Sequence, residues 1–203
     1  QIAHHVKKVT RERQGNILIF MDGAFEISKT VREIQSANWS SGLEVRALFG
    51  EMSLKEQDLT LAHSSKRKII VSTNIAETSL TIEGVEVVID TGKAKKASYD
   101  QVRKVDVLLS SPISKSAAEQ RAGRAGRTAP GYCLRMWSLA EHDRRDLFEL
   151  PEIQRMDLAE LYLKLRSMKI WPETLNWFEK PPEVSLKAAR ATLFKIGILS
   201  GEE

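Results

Sequence analysis

One cysteine in 203 residues means that no disulfide can close within the chain and no cysteine-based metal site can form. That usage fits a reducing compartment, and the chain is expected in the cytoplasm. The longest apolar runs, at 16–21 and 85–89, stop far short of the roughly 20 residues that span a bilayer, and no secretory pattern is present. No membrane association is therefore expected. The four histidines show no ligand spacing beyond the adjacent His4 and His5, so no metal site is expected among these residues. Neither sign of charge dominates: 31 Lys and Arg face 27 Asp and Glu, a net +4 that says little about partners. What is present, 42% hydrophobic and 29% charged residues, suits one or two domains with a sizeable core and excludes disordered or collagen-like chains. The sequence opens on Gln1 rather than Met, which predicts an excised piece of something longer.

Charge is unevenly placed. From Lys93 to Arg127 there are nine Lys or Arg against three acids, so this window carries +6 and the remainder −2. A solvated basic face and a phosphate-binding face both fit that count.

Residues 16–21 form a short apolar run followed by Gly23 and a helical pattern with Phe25, Val31 and Ile34 near one face. Strand, turn and helix recur at 43–48 with 53–61, then at 68–73 and 85–90. Continuous Ile, Val and Leu in strands separated by helices predict an α/β fold, a parallel sheet covered on both faces. Ligands in such folds bind beyond the carboxyl ends of the strands, where residues 73–82 fall. The alternation over 93–111 predicts an inserted antiparallel hairpin, followed by a helix from about Ser114 and a strand over 132–137. Beyond Leu139 strands disappear, and Leu158, Leu161, Leu165, Ala188 and Leu193 mark helices. The predicted division is 1–138 as the α/β domain and 139–203 as a small helical domain, truncated at Glu203.

Two segments concentrate the chemistry. In Gln120-Arg-Ala-Gly-Arg-Ala-Gly-Arg127, two glycines inside a helix would each cost about 1 kcal/mol relative to Ala, so propensity does not explain them. Close approach of a backbone or ligand does. Arg121, Arg124 and Arg127 would fan over about a third of the helix, and guanidinium forks bind phosphate oxygens. A small-residue packing helix with solvated arginines is the other reading. The segment 71–82 leaves an apolar strand and gathers Thr73, Asn74, Thr78, Ser79 and Thr81. Such groups cap short helices or hold sugar and phosphate oxygens, and composition alone does not choose.

Residues 71–82 resemble motif V, and 120–127 resemble motif VI, of the DEAH/RHA branch of superfamily 2 helicases. Residues 16–27 are similar to motif IV and 48–57 to the segment after it. Residues 130–137, 151–155 and 177–182 resemble the bacterial HrpB-like subgroup. The resemblance implies a RecA-like P-loop NTPase-type lobe, the second of two, followed by the start of a winged-helix domain. The full-length enzyme would be an NTP-dependent RNA helicase using ATP or another NTP with Mg²⁺, bound jointly with an N-terminal RecA-like lobe in cis. No phosphate loop and no Asp-Glu-Ala-His occur in this chain, so the fragment alone is expected to be inactive.

Carried over residue by residue, the resemblance makes Arg124 and Arg127 arginine fingers for the γ-phosphate, with Gln120 ordering the attacking water and Ser79 sensing the nucleotide state. It places Thr81 and Glu83 at the ribose, and implies that Arg121 organises the neighbouring motifs. Thr73, Asn74 and Gly50 would hold RNA phosphates. Lys93, Lys95, Lys96, Arg103 and Lys104 on the hairpin would attract single-stranded RNA without reading its sequence, with DNA left open. Three departures stand out. Asp22 replaces a proline, Glu51 sets a carboxylate beside Gly50, and no aromatic stands near Leu61 or Ala62 to stack on a base, which predicts weak adenine preference. The alternative is a non-catalytic nucleic-acid-binding or partner-binding module with vestigial motifs. A metabolic nucleotide-binding domain is disfavoured because no G-x-G-x-x-G follows the first strand.

Overall fold

Strands whose residues are apolar on both phases need cover on both faces. In the computed structural model, which describes residues 2–78, 80–100, 102–126 and 130–199, they receive it. In chain order the elements are α1 (Ile2–Glu12), β1 (Asn16–Phe20), α2 (Ala24–Gln35), β2 (Glu44–Leu48), α3 (Leu54–Leu61), β3 (Lys68–Ser72), α4 (Ile75–Thr78), β4 (Val85–Asp90), β5 (Lys93–Asp100), β6 (Val105–Pro112), α5 (Lys115–Ala122), β7 (Tyr132–Arg135), α6 (Leu139–Asp143), α7 (Ala159–Ser167) and α8 (Glu183–Lys195). Strands β1–β4 and β7 form a parallel sheet in the order β2-β3-β1-β4-β7, while β5 and β6 pair only with each other. This is the α/β architecture with an inserted hairpin that the hydrophobic pattern predicts.

Period-two alternation sorts the core. Ile17, Ile19, Val45, Ile69, Val71, Val87 and Ile89 face one way, with Val6 and Val9 of α1 and Ile27 and Ile34 of α2. Leu18, Phe20, Leu48, Ile70 and Val88 face the other, with Ala76 and Ala125. Each fully buried side chain of this kind stabilises by about 1.5–3 kcal/mol. Helix starts are fixed locally. Ser53 and Glu56 form a reciprocal capping box for α3, and the Ser114 hydroxyl accepts from Ala117 N at the head of α5.

The phase of α2 differs from the sequence reading. It buries Ile27, Thr30 and Ile34, and Phe25 is 71% exposed. The helix α1 was not anticipated at all. The helix marked by Leu158, Leu161 and Leu165 starts only at Ala159, after a separate 3₁₀ turn at Glu152–Gln154.

Two compact units emerge, residues 1–95 with 110–149, and residues 96–109 with 150–203. The sequence reading placed the division at 138/139. The intervening segment, with α6, is bound to the first unit, because Lys115 N and Ser116 N donate to Asp146 O and Leu147 O, and Ser114 N donates to Glu149 Oε1. In the second unit Leu158, Tyr162, Leu186, Ala189 and Leu193 form a separate core between α7 and α8. Tyr162 donates its hydroxyl to Glu173 Oε1 at 2.8 Å, and burial together with that carboxylate pushes its pKa above the usual phenol value. The hairpin tip in the same unit is fastened by Tyr99 N to Arg155 O and by the Arg155 guanidinium to Ala97 O.

Candidate nucleotide and nucleic-acid surfaces

The carboxyl edge of the sheet gathers three of the expected phosphate-holding residues. Gly50 follows β2, and Thr73 and Asn74 follow the neighbouring β3; Thr73 N donates to Leu48 O at 3.1 Å, which locks the two strand ends together. Asn74 and Gly50 are exposed, and a Cβ built on Gly50 would meet nothing within 4 Å. The backbone there is open to an incoming group, although Glu51 beside it is exposed as well. Thr73 also serves the bland purpose weighed for it, its Oγ1 accepting from Ile75 N at 3.5 Å at the start of α4. Lys93 and Lys95 are exposed in the first unit. Lys96 (half-buried), Arg103 and Lys104 belong to the second unit, where Asp100 Oδ1 accepts from Val102 N and Arg103 N to shape the hairpin turn.

The arginine segment is built differently from a continuous helix. α5 ends at Ala122 with Gly123 as its C-cap, so neither glycine lies inside a helix and Arg121 and Arg124 do not fan along one. These two are not solvated either. Arg121 is fully buried: its Nε donates to Glu77 Oε2 at 2.9 Å and its Nη1 to Asp90 Oδ1 at 3.0 Å and to Lys93 O at 3.1 Å, while the guanidinium lies 4.7 Å over the Phe20 ring. Arg124 is 5% exposed and sits in the turn beyond the helix. Its Nη1 donates to Leu80 O at 2.5 Å, its Nε to Glu77 O at 2.8 Å, and its Nη2 to the same Glu77 carbonyl. A phosphate would therefore have to exchange with backbone carbonyls to reach Arg124. Gln120 is exposed. Arg127 and Ser79 lie outside the described residues.

A cavity of about 240 Å³ opens at the opposite, amino-terminal edge of the sheet, lined by Asn16, Leu61, Ala62, His63, Ser64, Lys68 and Ile82–Gly84. It contains Leu61, Ala62 and Glu83, which the sequence reading tied to base and ribose, so these residues do come together. Thr81 is exposed on the same segment and is not part of the lining. The carboxyl-end rule does not reach this edge; the cavity arises because Leu80–Gly84 crosses back to start β4. The volume is below the roughly 300–1,000 Å³ of a complete small-molecule pocket, which suits one wall of a shared site. Arg124 grips Leu80, at the far end of this segment from the cavity.

Several residues that organise these surfaces were missed. Lys68 is 5% exposed, and its ammonium donates to Thr60 O at 2.7 Å and to Ala62 O, fixing the loop that walls the cavity. Asn16 joins the same edge by donating to Glu83 O and accepting from Lys68 N. A lysine heading an apolar strand and a carboxylate ending one, Asp90, were the available signals. Cys133 is half-buried in β7, and burial followed by the Asp90 carboxylate pushes its thiol pKa up to about 11, which disfavours the reactive thiolate.

Comparison with known proteins agrees with this architecture. Residues 1–129 match the family described as helicase conserved C-terminal domain. The chain is 40% identical over 200 residues to the probable ATP-dependent RNA helicase DHX34 of Homo sapiens, covering 97% of this chain and 18% of that one. It is 34% identical over 207 residues to the ATP-dependent RNA helicase HrpB of Escherichia coli, covering 99% and 25%. The crystal structure of the Escherichia coli DEAH/RHA helicase HrpB superposes with a TM-score of 0.91 at 33% identity, over all of this chain and 26% of that one. The chain thus spans about a fifth to a quarter of the relatives it matches.

Proposed function

Since the chain belongs to the helicase conserved C-terminal domain family and corresponds to the C-terminal lobe of HrpB-like DEAH helicases, we propose that it acts as one half of an NTP-driven RNA motor. The observation that carries this reading is continuity. Thr73 and Asn74 stand at the open carboxyl edge, Glu77 and Leu80 after them are gripped by Arg124, and Ile82–Gly84 line the cavity at the amino edge. A lobe that meets RNA at Thr73 and Asn74 and a nucleotide at Leu61, Ala62, Thr81 and Glu83 would feel both ligands through one segment.

In this mechanism Leu61 and Ala62 give the base an aliphatic wall without an aromatic face, so several nucleoside triphosphates are accepted. Glu83 and Thr81 face the ribose. Arg127 acts as the arginine finger, stabilising charge that grows on the transferred phosphoryl group. Arg124 joins it after releasing the carbonyls of Glu77 and Leu80, which ties finger engagement to movement of the backbone at those two residues. Gln120 orders the attacking water. The nucleotide supplies the phosphoanhydride bond, and the resemblance to DEAH helicases assigns its Mg²⁺ to the N-terminal lobe. Thr73, Asn74 and Gly50 grip RNA phosphates, and Lys93, Lys95, Lys96, Arg103 and Lys104 add sequence-independent attraction. No helix among the described residues is long and apolar enough to cross a membrane, and the reading assigns the enzyme to the cytoplasm.

Arg127→Ala in the full-length protein should lower RNA-stimulated NTP hydrolysis about 10³-fold or more, and the isolated 203-residue chain should hydrolyse none. Unchanged hydrolysis in the variant overturns the finger assignment. The carbonyl-bound state of Arg124 is the one observation favouring the non-catalytic module. RNA binding by a full-length protein that hydrolyses no NTP would establish that reading instead, and parallel titrations with single-stranded DNA decide the nucleic-acid preference.

A further inference from the structure

The hairpin grows out of the core at two roots, Gly92 where β4 passes into β5 and Ile113 where β6 passes into α5. Only Ile113 and Ser114 separate the descending strand from the helix that carries Arg121. The two roots are bonded to each other, Ile113 N donating to Gly92 O at 3.1 Å. Arg145 then closes both: its Nη1 donates to Gly92 O and to Ile113 O, each at 2.8 Å, and its guanidinium stacks 4.3 Å over the Trp137 ring. Gly92 is left-handed at φ +74°, and a Cβ there would lie 2.5 Å from Arg145 Nη2 and 2.6 Å from Trp137. The root is shaped around that arginine.

The same root is held from below by Arg121, which donates to Lys93 O and to Asp90, and Asp90 in turn accepts from Gly92 N at 2.8 Å. It is held from the side by Ser110, whose hydroxyl donates to Asp22 at the end of β1. Yet pairing is incomplete. Asp90 Oδ2, Ser111 Oγ, Arg121 Nη2 and Arg145 Nε are buried without a hydrogen-bond partner, and all belong to this root. Arg121 is shared between Glu77 and Asp90 by one oxygen each, which leaves Arg121 Nη2 and Asp90 Oδ2 buried without partners at the base of the hairpin.

We propose that Arg145 is a positioning residue for coupling: by clamping Gly92 and Ile113, it ties both roots of the hairpin to the head of α5, so that a displacement of α5 reaches the two strands together at their base. This rests on the helicase reading above. Without the clamp, α5 still moves with the nucleotide, and the hairpin lags.

The test compares wild type, Arg145→Ala, Arg145→Lys and the exposed neighbour Arg144→Ala in the full-length protein, reading RNA-stimulated hydrolysis, duplex unwinding and amide hydrogen exchange. Arg145→Ala should keep hydrolysis within about twofold of wild type, lower unwinding per NTP hydrolysed about tenfold or more, and speed exchange across residues 92–113 alone. Arg145→Lys, which keeps the cation without the planar fork, should fall between and carries the test if the alanine variant fails to fold. Arg144→Ala should match wild type. Equal losses in hydrolysis and unwinding, unchanged unwinding, or exchange unaltered at 92–113 would overturn the clamp. If wild type neither hydrolyses nor unwinds, the helicase reading fails and the proposed coupling role fails with it; exchange at 92–113 then reports only whether Arg145 braces the root.

Discussion

Arg121→Ala should be among the most damaging single changes the first unit can suffer. The Arg121 and Asp90 side chains are both 0% exposed and 3.0 Å apart, and Glu77 is 17% exposed on the other side. Truncating the arginine leaves the Asp90 carboxylate in a dry interior with one remaining donor, the Gly92 amide. It also empties the space over Phe20. Removing one partner of a buried pair costs about 3–5 kcal/mol, mostly from the stranded charge rather than from the attraction lost. For a chain of this size about 4 kcal/mol corresponds to a fall in Tm of roughly 10 °C. Calorimetry and urea unfolding of the chain measure both, following the transition that belongs to the first unit. The double variant Arg121→Met with Asp90→Leu separates the stranded charge from the pair itself. It should recover most of the loss, a coupling of at least about 2 kcal/mol. A cost below about 1 kcal/mol for Arg121→Ala, or costs that simply add in the double variant, would refute the reasoning.

Gly92→Ala should cost about 2 kcal/mol or more in chemical denaturation, since its φ is +74° and the new methyl meets Arg145 and Trp137. The Glu56 carboxyl, held below its usual pKa first by the Ser53 hydroxyl and then by the Ser53 amide, helps the fold above the ordinary glutamate range and loses that help as pH falls through its depressed pKa; Ser53→Ala, which removes the hydroxyl and keeps the amide, should move its NMR titration part of the way back toward the usual range. Leu61→Phe should add a stacking face to the cavity wall and raise nucleotide affinity, read by titration with a fluorescent nucleotide. Each of Lys93→Ala and Lys95→Ala should flatten the salt dependence of single-stranded RNA binding by about 0.7 in slope, whereas Asn74→Ala should weaken binding at every salt concentration alike.

How much of this was readable without coordinates depended on whether the signal was local. The five core strands were visible because residues such as Ile17–Phe20 and Val87–Ile89 are apolar on both phases, and the Ser53 and Ser114 starts followed from hydroxyls preceding helical stretches. The phase of α2 was not, because Phe25, Ile27, Val31 and Ile34 leave two apolar stripes and only the facing strands choose between them. Tyr162 was passed over in favour of Leu161 and Leu165 for the same reason, although its ring is 1% exposed. The arginine segment shows the sharper limit. Gly123 was weighed as an interior helix residue when it is a C-cap, and that single shift turns a solvent-facing fan into one arginine sealed on Asp90 and another on backbone carbonyls. Acceptors such as Glu77 O and Leu80 O leave no trace in residue type. Nor does Arg145, one of several charges in a polar stretch until the fold brings Gly92 and Ile113 beneath it.

The sole thiol of the chain also has a practical meaning. With its pKa at about 11, Cys133 is almost wholly protonated near neutrality and half-shielded in the edge strand β7. Maleimide chemistry at pH 7 would therefore pass it by and select a newly installed Val102→Cys, at a tip position 92% exposed. The chain arrives, in effect, with a silent background on which a fluorophore can report where its projecting ribbon goes.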